Sequence, residues 1–142
     1  MKRIIALLMT LVLLFCGATP TLAATPEDIS PLYLHTSQAS ISFVILEDGT
    51  AEWTIVCMGY STAESITAVS YLERKVGSVW FRVNMEAPEN EYTYTVQASD
   101  MFKAYTMQLT RSGTYRAFVE LTVRGANGND YIELYNEYDY YP

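Results

Sequence analysis

Apolar and polar positions alternate with a period of two along most of this chain. In residues 114–124, Tyr115, Ala117, Val119, Leu121 and Val123 fall on one side, and Arg116, Phe118, Glu120, Thr122 and Arg124 on the other. Successive side chains of a strand point to opposite faces, so the pattern predicts a half-buried strand with one aromatic, Phe118, on its polar face. The same rhythm predicts strands at 40–46 (Ile41, Phe43, Ile45 inward) and 51–60 (Trp53, Ile55, Cys57 inward). It continues at 79–85, where Val79, Phe81, Val83 and Met85 oppose Trp80, Arg82 and Asn84, and at 92–98 with Tyr92, Tyr94 and Val96 in phase. Residues 101–109 are less regular and suit a sheet edge. Residues 66–75 fit two phases. The one with Ile66, Ala68, Ser70 and Leu72 inward is preferred, because it turns Thr67 and Glu73 to solvent and leaves Val69 and Tyr71 on the outer face.

Turn residues punctuate these runs at fairly even spacing. Glu47-Asp48-Gly49-Thr50 closes a hairpin, with Gly49 supplying a positive φ. Residues 61–65 read as a loop, Val76-Gly77-Ser78 as a short turn, and 87–90 as a loop because Pro88 cannot donate to a ladder. Residues 111–113 and 125–130 are further turns, and 131–135 completes a last hairpin. The closing "NEYDYYP" is expected to fray or to lie against a sheet edge. Short strands at this spacing, with no helical period beyond the first residues, predict an all-β antiparallel sandwich or barrel.

The run "SGTYRA" resembles the opening of strand F in immunoglobulin domains, where Gly-x-Tyr-x-Cys is frequent. The resemblance implies an immunoglobulin-like β-sandwich of about seven to nine strands in which the Tyr115 hydroxyl bonds back to nearby backbone. Ala117 takes the Cys position, so Cys57, 60 residues earlier, has no partner for the usual inter-sheet disulfide. Trp80 comes too late in the chain to be the strand-C Trp of antibody domains. A broader resemblance rests on an "ISPLY" opening, "TAVSYLERKVGSVW" and "SGTYRAFVELTV", together with the leader described next. These are similar to an uncharacterised family of small secreted clostridial proteins. Membership implies export from a Gram-positive cell and carries over no functional residues.

The leader is Lys2-Arg3, then an apolar run from Ile4 to Phe15, then Thr21-Leu22-Ala23. That order is a secretory signal, placed at residues 1–23, with a single domain at 24–142. The apolar run is short for a membrane span, so stable insertion after cleavage is not expected. Phe15 before Cys16 argues against a lipoprotein signal. The expected mature chain carries seven basic and sixteen acidic residues, a net −9, which disfavours nucleic acid and anionic lipid as partners.

Chemistry is sparse. His35 is the single His and is expected on the surface of an edge strand. One His and one Cys do not form a catalytic or zinc constellation, and Cys57 reads as a small buried hydrophobe. "LEDGT" and "GANGNDY" offer oxygen donors, but neither matches an alternating calcium loop. Neither enzyme activity nor a metal or cofactor is expected. What remains is a surface. In a sheet ordered G, F, C, C′, the outward residues Tyr131, Tyr135, Phe118, Val69, Tyr71 and Trp80 line up, bordered by Arg116, Glu120, Glu133 and Arg82. A contiguous patch of aromatic and Arg residues suits a partner protein or a second copy, with stacking on a glycan or wall polymer as the alternative. A third possibility is that the Tyr-rich tail or loop 86–91 covers it. The expected role is a secreted, non-catalytic binding or structural protein at the bacterial cell surface.

Overall fold

The computed structural model describes residues 32–85 and 87–142; the expected signal peptide and cleavage site lie outside them. Among the described residues eight strands run in chain order: β1 Thr36–Ile45, β2 Thr50–Gly59, β3 Ala63–Val76, β4 Val79–Arg82, β5 Tyr92–Val96, β6 Asp100–Gln108, β7 Gly113–Gly125 and β8 Gly128–Tyr140. One sheet is ordered β1-β2-β6, and the other β4-β3-β7-β8 with β5 paired beside β4 along the same edge of β3. All pairings are antiparallel. With β1, β2 and β6 as strands A, B and E, and β8, β7, β3 and β4 as G, F, C and C′, this is the immunoglobulin-like sandwich.

The inward faces are those the alternation predicts. Phe43, Ile45, Trp53, Ile55 and Cys57 from one sheet pack on Ile66, Ala68, Leu72, Ala117, Val119, Leu121 and Val123 from the other. Cys57 is a free thiol, buried like Ala117, so packing and polar ties hold the sheets together. One tie is fully internal. The Trp53 indole donates to the Ser70 hydroxyl at 3.0 Å, and Ser70 donates to the Phe118 carbonyl at 2.8 Å, joining β2 to β3 and β7. A second tie fixes a corner: buried Tyr115 donates its hydroxyl to the Arg111 carbonyl at 2.6 Å.

Four expectations need correction. The tail is neither frayed nor draped on an edge: β8 runs on to Tyr140, paired along its length with β7 as far as Gly113. Strand β3 starts at Ala63 rather than 66, with a register shift between Ala63 and Ser65 where a loop was expected. Val79 and Phe81 do not enter the core. They share the inward side with Val76 and Arg74, their cross-strand partners, yet are 51% and 54% exposed. The three-stranded sheet ends at β6, and β4 extends past its cover. The fourth is His35, which is 3% exposed rather than on the surface.

Replacing Tyr115 by Phe removes one hydrogen bond and is expected to cost about 1 kcal/mol. Ser70→Ala strands the buried indole N–H and should cost more, about 2 kcal/mol. Urea midpoints of the two variants, read against the parent, check both; an unchanged midpoint in Tyr115→Phe would remove the corner as an anchor.

Candidate functional site

The outward side of the larger sheet is built in rows, because register places residues of neighbouring strands opposite one another. Tyr71, Phe118 and Tyr135 form one row across β3, β7 and β8. Arg82, Glu73, Arg116 and Glu137 form the adjacent row across β4, β3, β7 and β8, alternating in charge. In the aromatic row the rings stand side by side. Tyr71 and Phe118 stack at 5.1 Å with 17° between planes, and Phe118 and Tyr135 lie at 6.4 Å and are parallel. Strands sit about 4.8 Å apart, so rings stacked across them turn their flat faces to each other.

Guanidinium groups of the charged row lie over the rings. Arg82 sits 3.7 Å from the Tyr71 ring centroid, and Tyr71 is only 7% exposed. Arg116 lies 4.5 Å from Trp80, 5.6 Å from Phe118 and 5.5 Å from Tyr135, while pairing with the Glu73 carboxylate. Arg82 pairs in turn with Glu91 at 2.9 Å. Burial holds the Tyr71 phenol above its ordinary pKa, and that phenol donates weakly to Glu120 at 3.4 Å. Lys75 also approaches the Trp80 ring, at 5.4 Å.

The structure therefore brings Tyr71, Phe118, Tyr135 and Trp80 together, with Arg116 over the last three and Arg82 over Tyr71. Tyr71 is covered rather than exposed. Tyr131, 72% exposed, stands apart: it pairs with Thr122, and the Glu120–Glu133 row separates it from Tyr135. Val69 belongs to that intervening row, opposite Glu120.

The other predicted candidates have structural employment. Burial raises the Cys57 thiol to about 11, with Asp100 and Asp130 adding to the effect, so it stays protonated at neutral pH. In "LEDGT", Asp48 accepts the Thr50 amide at 2.8 Å, which lowers its pKa and closes the turn. In "GANGNDY", Asp130 faces inward and accepts from the Leu34 and His35 amides at 2.9 and 2.8 Å and from the Thr36 hydroxyl at 2.9 Å. Among the described residues, no three His, Cys, Asp or Glu side chains are placed to hold a metal ion.

Sequence reasoning missed this end of the sandwich. Asp130 anchors the entry to β1 through backbone amides, and the His35 ring lies at Gly125 with Nδ1 3.0 Å from the Thr62 hydroxyl. A Cβ at Gly125 would overlap His35 Cε1, so glycine leaves room for the ring. His35 Nε2 is buried with no hydrogen-bond partner among the described residues. The available signal was the Asp in a Gly/Asn turn, read as turn chemistry alone.

Compared with known proteins, no family model matches the chain, and no curated protein is similar to it at a significant level.

Burial opposes ionisation of Asp130, but the amide and hydroxyl donors outweigh it and leave its pKa below the usual 3.8. A depressed folded pKa gives stability that is complete above the unfolded value, near ~4, and is lost as pH falls through the folded one. The stability gap between the parent and Asp130→Asn is therefore expected to be flat near neutrality and to shrink below pH ~4. Denaturation midpoints over that range check it; a gap independent of pH would contradict the ionised anchor.

Proposed function

We propose that this chain is a secreted, non-catalytic protein-interaction component of a bacterial cell surface, and that the Trp80–Arg116–Phe118–Tyr135 face is its contact. The carrying observation is the ring stack. Parallel rings in neighbouring strands use their faces on each other and on guanidinium groups. Outward they offer ring edges, Arg116 and Glu73. Sugar recognition by stacking asks for a free flat ring face, whereas interface centres are enriched in aromatic residues together with Arg. Export follows from the reading of the leader and supports a partner outside the cell.

Binding of residues 24–142 to intact Gram-positive cells tests this, before and after surface proteins are shaved with protease, beside a Trp80→Ala, Tyr135→Ser variant of unchanged thermal midpoint. Binding lost on shaving and at least tenfold weaker in the variant is the expected outcome. Equal binding to protein-free wall would transfer the face to a glycan. Absence of cell binding together with a monomeric mass at all concentrations would remove the proposal.

A further inference from the structure

A second surface lies on the opposite side of the same sheet, where β4 projects beyond β6. The two sheets leave between them a groove of about 830 Å³. One wall is the run Phe81–Arg82–Val83–Asn84, and the other is the run from Thr106 to Thr110. Each wall is the last part of a strand and the chain that leaves it: Phe81 and Arg82 close β4, and Thr106, Met107 and Gln108 close β6. Both edges are unpaired: β6 ends its sheet and β4 ends the other. The register fixes which groups are free. The Leu109 amide donates to Gly49, and antiparallel ladders alternate, so Thr106 and Gln108 turn their N–H and C=O groups away from β2 toward the groove side.

The floor is apolar, with Met107, Leu109, Tyr92 and Tyr115 beneath the half-exposed Phe81 and Val76. The rim is cationic. Arg74 is held in place by donating Nε and Nη2 to the Ser112 carbonyl at 3.1 and 2.9 Å. Arg111 is exposed and forms no ion pair among the described residues. Arg82 contributes to the wall, its side chain being committed to Tyr71 and Glu91 on the outer face. Among the described residues no Asp or Glu lines the groove, in a chain with a net charge of −7.

We propose that this slot receives an extended acidic segment of another protein as an added β-strand. Main-chain hydrogen bonds to the β6 edge would supply register, alternate apolar side chains would fill the floor, and carboxylates would meet Arg74 and Arg111. The wall of five residues accommodates a strand of about 16 Å. The site is distinct from the aromatic face, which lies on the outward side of the larger sheet, so the two are separable by mutation.

The test is a titration of the secreted chain with a capped five-residue peptide alternating Glu and Val, and with its Lys/Val counterpart. Two variants accompany the parent. Thr106→Pro removes an N–H that the β2–β6 ladder does not use, a position where an edge strand tolerates Pro. Arg111→Glu reverses the rim charge and leaves the carbonyl that holds Tyr115 in place. Saturable binding of the Glu/Val peptide is expected, with the Lys/Val peptide, Thr106→Pro and Arg111→Glu each at least tenfold weaker and Tyr135→Ser unchanged. Failure of the Glu/Val peptide to bind the parent, or binding indifferent to Thr106→Pro, overturns the proposal. A concentration-dependent mass that Thr106→Pro abolishes would also overturn it, by giving the slot to a second copy.

Discussion

The hydrogen-bonded relay from Trp53 through Ser70 to the Phe118 carbonyl is the constraint on which the rest of the sandwich depends. The hydrophobic effect has no direction, so apolar contact selects the relative position of two sheets less sharply than a hydrogen bond does. A buried N–H must find its acceptor, and the Ser70 hydroxyl supplies it. Meeting that demand fixes the sheets in register and seats Phe118 by its own backbone. Cys57 and Ala117 cannot supply a covalent tie between the sheets, so this polar tie and the Tyr115 corner take over its positional role.

Much of this fold was legible as alternation, because a residue's side of a strand is a local property. The inward set from Phe43 to Val123, the favoured phase of β3 and the Tyr115 bond all follow from period two and one short motif. Failures occurred where burial depends on what lies opposite. Phe81 has the right phase but no sheet above it, and nothing in its neighbourhood says where the other sheet stops. Tyr71 has the right face but lies under Arg82, whose position comes from a different strand. His35 and Asp130 are 95 residues apart, and their juxtaposition exists only after β1 and β8 meet. The tail misled because its tyrosines and acids look like solvated chain, while its pairing with β7 is a matter of backbone.

Charge is distributed unevenly over the result. Strand β8 holds Asp130, Glu133, Glu137 and Asp139 and no basic residue, whereas Arg74, Lys75, Arg82, Lys103 and Arg111 gather toward β4 and β6. Glu73 and Glu91 are answered by Arg116 and Arg82, which also cap the ring stack. Where the sandwich gapes, the arginines have fewer partners. The same residue type therefore serves as cover on one side of the larger sheet and as open valence on the other.

The Asp130 anchor has a mechanical side. It grips the chain at Leu34 and His35, while the far end of β8, at Tyr140, lies ten residues along that same strand. Those two points are separated by about 33 Å along the strand direction. Tension applied between them would run parallel to the strands and load the ladders in shear, many bonds at once, instead of peeling them singly. The carboxylate clamp would bear that load first. A chain pulled at those two points would thus behave as a stiff link, with the buried aspartate loaded first and the ladders carrying the force after it.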